Sequence, residues 1–415
     1  MADPRHLWKL LGSLVLLFVV GLNLRLTLAG FTPLIPLVQA ELDASNSSLG
    51  LATGVAVVMF GVMALLTPSL VARFGPDRVL SLGLLAICVG TGMRFQWILP
   101  GMILIGAGIG LMNVVLPAIV KRDFPYRMAL ATAVYTSALN VGSAAAATGV
   151  VPLSQELGSW RTAAVITGAP ALVALAVWLV FRHRAAPHQR QPIQLGSQVW
   201  GSGLAWQVTA FMALQSLLYY FVLAWLPTIY IDAGLPAARA GFVLAIAQVG
   251  QLVGCIATPL ILKHRTDLRA TCSVFAGITF CAFLAFLTMP LANPYGFAFL
   301  LGIGQGGALV CALLLIGLRS PDARTASSLS GMAQSVGYVV AATGPPLAGL
   351  VFDRSGSWDL PLAMMCVLCG VEVVAGLSAG RDRAVPSVLT GRTTAPPDDS
   401  PDRPFEQEGS ACSRQ

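Results

Sequence analysis

Arg25 offers the most chemistry in this sequence. It stands in an apolar run that begins near Leu10. At 1.5 Å per helical residue it lies about fifteen residues, or roughly 22 Å, along that run, near the middle of a bilayer. A centred arginine costs at least ~2.5–3.5 kcal/mol, so it must face a cavity or a partner. Gly21, Ala29 and Thr32, at i−4, i+4 and i+7, leave room beside it. Its planar fork of donors suits a planar anionic or polar group. The alternative, a structural arginine tied to carbonyls of neighbouring helices, stays open.

Other polar side chains are scattered through apolar surroundings. Gln215 and Tyr219 share a helical face at i,i+4, as do Gln334 and Tyr338; Gln305 sits between glycines; Tyr135, Thr136 and Asn140 form a further group, with Gln248 and Gln251 beyond. Each alone serves equally well as an interhelical hydrogen bond. As a set they read as a polar cavity holding one permanent positive charge, with Arg25, Gln215, Tyr219, Gln305, Asn140, Tyr135 and Gln334 as substrate contacts. Arg94, near the outer end of its apolar run, either snorkels to the interface or stands at the cavity mouth. Glu372, eight or nine residues before Arg381, is either a proton-coupling carboxylate or a packing one.

Other apparent chemistry falls away. His6, His183, His188 and His264 all lie in polar connections, so no metal site and no histidine-based catalyst is expected. The string Gly302-x-Gly304-x-x-Gly307 lacks the preceding strand that a dinucleotide site needs; in an apolar run its small residues let helices approach. No GxxxxGK[ST] pattern occurs. Cys366 and Cys369 have CxxC spacing but stand inside an apolar run, where packing is the plainer reading. The expectation is no enzyme and no cofactor.

These side chains must be positioned by membrane spans. Of 415 residues, 56% are hydrophobic and only 10% charged, whereas a soluble protein carries about 25% charged residues. Twelve stretches are long and apolar enough to cross a bilayer: 8–37, 48–71, 79–96, 98–120, 128–151, 162–181, 206–231, 240–262, 270–289, 295–318, 326–350 and 360–380. Their connections alternate in charge. One side takes all the lysines and arginines except Arg25, Arg94, Arg161, Arg239 and Arg354; the other takes Glu41, Asp43, Glu156, Asp232, Asp353 and Asp359. By the positive-inside rule both termini are cytoplasmic. The net charge of +7 is then mostly topology, and no nucleic-acid partner is called for.

The chain also repeats itself. Gly158-Ser159-Trp160 recurs as Gly356-Ser357-Trp358, Ala146-Ala147-Thr148-Gly149 as Ala341-Ala342-Thr343-Gly344, and Gly106, Gly108 and Gly110 as Gly302, Gly304 and Gly306. Ordered matches at nearly constant offset indicate two six-helix halves related as parallel repeats. The expected organisation is an N-terminal bundle (1–181), a cytoplasmic linker (182–205), a C-terminal bundle (206–380) and a disordered cytoplasmic tail (381–415). Pro33 and Pro36, with the repeat-related Pro227, are expected to interrupt helices near their outer ends.

This plan, with a basic loop after spans 2 and 8, resembles the major facilitator superfamily. Asn23-Leu24-Arg25, the stretch from Trp206-Gln207-Val208-Thr209 through Gln215-Ser216-Leu217 to Ala224-Trp225-Leu226-Pro227, and Arg94 closing span 3 look like the cyanate/nitroimidazole-type transporters of that superfamily. The resemblance implies an all-α membrane protein with twelve transmembrane helices in two pseudo-symmetric six-helix bundles, spans 1, 4, 7 and 10 lining the cavity. The loop after span 2 departs from the superfamily's pattern: Pro68 and Ala72 replace its first Gly and its Asp, while Arg73 and Gly75 match. The acid that would latch this loop is expected to be missing, leaving Arg73 and Arg78 as its gating charges.

The expected function is a secondary active transporter in the plasma (inner) membrane, moving a small polar or anionic solute by alternating access, with a co-transported proton as a candidate partner. Export of drug-like organic compounds and a non-transporting membrane receptor remain as alternatives.

Overall fold

The computed structural model describes residues 4–124, 127–181, 197–262 and 266–386, and no strand occurs among them. The first span is segmented: α1 (Pro4–Leu22), a short α2 (Leu26–Ala29), a 3-10 turn at Thr32–Leu34 and α3 (Ile35–Leu42). Then follow α4 (Asn46–Phe74), α5 (Pro76–Met93), α6 (Ile98–Asp123) and α7 (Met128–Glu156), with the sixth span split into α8 (Trp160–Ile166) and α9 (Ala169–Phe181). The second half holds α10 (Ser197–Trp200), α11 (Gly203–Asp232), α12 (Ala237–Leu262), α13 (Arg269–Thr288), α14 (Pro294–Leu318), α15 (Ala323–Ala341), α16 (Gly344–Ser355) and α17 (Asp359–Ala379). Among the described residues, eleven helical stretches are long and apolar enough to cross a membrane. The fifth span, α7, is a 29-residue helix packed between α1 and α12. The architecture is two pseudo-symmetric bundles of six spans.

The repeated residues build repeated structure. Gly158 and Gly356 both take left-handed backbone, φ 64° and 71°, a conformation open to glycine without a Cβ clash. The tryptophan after each turn then donates its indole N–H to an acid ending the first span of its own half: Trp160 to Glu41 and Trp358 to Asp232. Equivalent glycines also make equivalent contacts. A methyl on Gly106 would strike the Ala56 carbonyl, and one on Gly302 the Ala247 carbonyl.

The halves meet at one end only. One apolar core runs without interruption through the N-terminal bundle and into residues 217–247, 282–301 and 341–369 of the second half, whereas the remaining end of the C-terminal bundle forms a separate core of its own. At the joined end α4 lies directly on α16: a methyl on Gly50 would come within 2.6 Å of the Pro345 carbonyl oxygen. Asp353 caps the seam by accepting from the Asn46 and Ser47 backbone N–H groups at 3.1 and 2.8 Å.

Three expectations change. The first span is interrupted at its prolines, with Pro33 in the 3-10 turn and Pro36 opening α3. It also breaks earlier, at Asn23-Leu24-Arg25, because the buried Asn23 amide bonds the carbonyls of Val19 (2.8 Å) and Pro170 (3.4 Å) and so competes with the helix ladder. Pro227 interrupts nothing visible: α11 runs through it to Asp232. The chain after Arg381 stays packed through its first residues, since the Val385 N–H donates to the Arg319 carbonyl at 2.7 Å and Val385 is buried. Of the expected linker, residues 182–196 lie outside the described residues, and α10 and the start of α11 occupy the rest. The tail beyond 386 also lies outside them.

Candidate functional site

The break in the first span puts Arg25 where a continuous helix would not. Its backbone, at φ −136° and ψ −20°, is the N-cap of α2, so the side chain leaves the span between two helix segments. The residue is only 8% exposed, and its guanidinium carbon lies 4.3 Å from the ring centre of Tyr219 and 5.2 Å from that of Tyr220. Both tyrosines come from α11. A cation over an aromatic face gains about 0.5–2 kcal/mol, which offsets only part of the cost of desolvating it. Nε and Nη1 of Arg25 have no hydrogen-bond partner. Buried donors are ordinarily paired, so these two donor nitrogens are open to an acceptor.

Aromatic residues extend the surface around it. Tyr220 packs against Phe60 of α4 (5.8 Å between centroids) and Tyr338 of α15 (6.3 Å), and Phe60 meets Tyr338 edge-on at 5.7 Å. The Tyr220 hydroxyl is buried without a partner, whereas the Tyr219 hydroxyl donates to Gln248 Oε1 at 3.4 Å. The site therefore joins elements from both halves: Arg25 and Phe60 from the first, Tyr219, Tyr220 and Tyr338 from the second.

The other expected residues divide. Tyr219 touches Arg25, as described. Gln215 is buried on the same helix and its Oε1 accepts from the Ser216 hydroxyl at 3.2 Å. Gln305 is buried with Nε2 unpartnered, as is Asn140 with Oδ1 unpartnered; the Asn140 amide donates to the Thr136 carbonyl at 3.0 Å. Gln334 donates to Ser330 at 2.8 Å, and Tyr135 is half-buried. No described hydrogen bond ties these last four to Arg25. Tyr220 and Phe60 escaped the sequence reading. The Tyr219-Tyr220 doublet was the available signal, and the i,i+4 argument used only one of its members.

Arg94 does not snorkel, and it does not stand at a mouth. It is fully buried, donating through Nη1 to the Thr27 carbonyl (2.9 Å) and through Nη2 to the Ala164 carbonyl (2.8 Å) and the Thr167 hydroxyl (3.1 Å). Thr27 lies in α2, and Ala164 and Thr167 end α8, so the guanidinium joins the breaks of spans 1 and 6. Breaks free carbonyls, and a buried arginine satisfies them.

Glu372 is also buried, at 1% exposure, and neither carboxyl oxygen has a hydrogen-bond partner. It lies in the C-terminal bundle among residues of α17, α13 and α11, apart from the aromatic surface.

The loop after span 2 does have its acid. Asp77, at the start of α5, accepts two bonds from Arg122 of α6 at 2.6 and 3.0 Å. Arg73 instead lies over its own neighbour Phe74 (5.3 Å), and among the described residues Arg78 makes no hydrogen bond or ion pair. The acid is displaced along the sequence from position 72 to Asp77, in the first turn of α5. In the second half Arg319, at the corresponding end of α14, ties the same region through the carbonyls of Thr266 (2.8 Å), Ala379 (3.1 Å) and Gly380 (2.9 Å).

Comparison with known proteins agrees with this architecture. The sequence profile of the Major Facilitator Superfamily matches residues 14–342. The 2-nitroimidazole transporter of Escherichia coli (strain K12) is 34% identical over 376 residues, covering 89% of this chain and 95% of that protein. The cyanate transport protein CynX of the same organism is 29% identical over 362 residues, covering 86% and 94%. Among solved structures, a bacterial homolog of the human lysosomal transporter Spinster superposes with a TM-score of 0.72 at 16% identity, covering 95% of this chain and all of that one.

Proposed function

The chain belongs to the major facilitator superfamily, a family of secondary transporters, and from that premise we propose that it carries a small, flat, polar or anionic solute whose acceptor atoms dock on Arg25. One observation carries this reading: the two unpartnered N–H groups of Arg25, held over tyrosine rings in a site shared by both halves. A guanidinium with open donors selects anionic or polar acceptors such as carboxylate. The rings of Tyr220, Phe60 and Tyr338 beside it would stack on a flat body when the site opens. Cyanate and nitroimidazole, the solutes named for the two relatives, are both small and carry acceptors in a line or a plane. Gln215, Gln305, Asn140, Tyr135 and Gln334 supply the remaining directional contacts.

The solute crosses by alternating access, the two halves rocking about the site. The basic connections favour cytoplasmic termini by the positive-inside rule, and the bacterial relatives favour the plasma membrane. The joined end of the halves is then the outer one, and Arg25 is reached from inside. Asp77 and Arg122 hold the inner loop of the first half. The residues act by binding, without covalent chemistry.

The aromatic surface favours a second reading, in which the cargo is a larger flat organic compound moving outward. Both readings are tested with purified protein in proteoliposomes, measuring uptake and efflux of labelled cyanate, benzoate and 2-nitroimidazole, with thermal-shift binding of the same solutes and of neutral aromatic drugs. Anion flux that Arg25→Ala removes, with the protein still folded, supports the first. Undiminished flux in that variant overturns it. Binding confined to neutral aromatics moves the assignment to the second.

A further inference from the structure

Glu372 is a buried carboxyl that the solute site does not use. Among the described residues every other aspartate and glutamate lies in a loop or near a helix end; Glu372 alone stands inside a span, seven residues before the end of α17, roughly 10 Å from it. Its two oxygens have no hydrogen-bond partner. The face that carries it is fixed by its neighbour one turn on: Gly376 lies against the Cβ of Cys272 on α13 and the ring of Phe211 on α11.

The charged and titratable groups around it are few. On α11 the only charged residue is Asp232 at the far end, and its tyrosines are Tyr219, Tyr220 and Tyr230. On α13 the only charged residue is Arg269 at the first position, engaged with Asp267 at 2.7 Å; the thiols there are Cys272 and the exposed Cys281. On α16, Asp353 and Arg354 stand at the opposite end, and α17 itself adds Cys366, Cys369 and Asp359. No cation faces Glu372 from any of these helices, and an unpaired carboxylate in such a place is far less stable than the neutral acid. Asp267, outside the spans, contrasts with it: hydrogen bonds from Arg269 hold its carboxyl down to about 2, so it stays ionised at any working pH.

Two features connect Glu372 to the rest of the molecule. Toward the terminal end lie the buried Cys272 and Cys311, and beyond them the buried Arg319, 3.6 Å from the exposed Asp382. Toward the solute site, α11 is the shared wall. It presents Tyr219 and Tyr220 to Arg25 on one side and Phe211 to the Glu372 helix on another.

We propose that Glu372 is the proton-binding site of the transport cycle, an inference that rests on the transport reading above. On this reading it carries the proton while buried. When the C-terminal bundle shifts and water reaches it, the O–H bond breaks, the electron pair stays on the carboxylate and the proton leaves as hydronium; the reverse step reloads it. Movement of α11 ties this exchange to occupancy of Arg25.

The full-length protein in liposomes tests this in two arms. Infrared spectroscopy reads proton occupancy without any solute: the carbonyl stretch of a protonated carboxyl is expected at neutral pH in the wild type, absent in Glu372→Gln and restored, shifted, in Glu372→Asp. An identical band in wild type and Glu372→Gln overturns the proposal. The second arm uses labelled benzoate. With one proton carried per anion, a pH difference of one unit drives about tenfold accumulation; Glu372→Gln is expected to lose this accumulation while keeping solute counterflow within about twofold, since exchange needs no net proton movement. Accumulation that survives in Glu372→Gln, or wild-type flux indifferent to the pH gradient, overturns the proposal. Loss of counterflow together with accumulation in Glu372→Gln, with exchange not restored by Glu372→Asp, also overturns it in favour of a structural role. Absence of benzoate flux in the wild type counts against the anion reading alone, and the infrared arm still decides the proton site.

Discussion

Arg25 and Arg94 are both arginines buried within membrane spans, both close to a break in the first span, both over an aromatic ring and both with an unpartnered Nε. They differ at the terminal nitrogens: both Nη atoms of Arg94 donate, to the carbonyls of Thr27 and Ala164 and to the Thr167 hydroxyl. Arg25 has tyrosine rings beneath it and two N–H groups that meet nothing. Residue type and burial are nearly the same in the two cases. What differs is whether the fold supplies acceptors, and that difference separates a structural clamp from a place where a solute completes the coordination.

The largest expected effect in this comparison comes from Arg94→Ala, which strands the Thr27 and Ala164 carbonyls in the interior and should cost about 2–4 kcal/mol of stability. A drop in melting temperature and in folded yield checks it, and a stable Arg94→Ala would erase the contrast. Arg25→Ala should do the reverse: stability within about 1 kcal/mol of wild type, but anion affinity weaker by roughly 30-fold, the equivalent of about 2 kcal/mol for a lost charged hydrogen bond. Thermal unfolding and a binding titration on the same sample separate the two quantities. Arg25→Lys sharpens the point, since a lysine keeps the charge and loses the fork; partial binding is expected.

Smaller effects come from the ring pair. Tyr219→Phe keeps the ring under the guanidinium and removes only the bond to Gln248, costing about 1 kcal/mol. Tyr220→Phe removes a hydroxyl that has no partner in the protein, so stability should stay within about 0.5 kcal/mol while solute affinity falls a few-fold. Equal affinity in Tyr220→Phe would mean that this hydroxyl does not face the cargo. The measurement in both cases is a titration with the anion that the wild type binds.

Much of this protein was legible from its residues. Spans follow from runs of apolar side chains, and the repeat was visible in short identical strings such as Gly-Ser-Trp, whose turn each half forms in the same way. Arg25 stood out because a charge at mid-bilayer needs a reason wherever it occurs. Arg94 was misjudged because its position along its own helix suggested an interface, while its partners lie 67 and 70 residues away in sequence. Asp77 was passed over as a latch because the familiar position for that acid, Ala72, is empty of charge; the bond to Arg122 bridges 45 residues. Tyr220 and Phe60 were ordinary apolar-face residues until the halves brought them together.

The sequence by itself determined the membrane architecture, the duplication and the presence of a buried cation, because hydrophobic length and the cost of burying charge are properties of local composition. Only the tertiary structure decided which buried arginine finds acceptors for both terminal nitrogens and which does not, that the first span opens at Asn23-Leu24-Arg25, and that an unpaired carboxyl waits on the far side of α11. Those outcomes depend on which acceptors distant segments deliver, and a hydrogen bond a few ångströms long leaves no trace in the spacing of residues that meet only after the chain has folded.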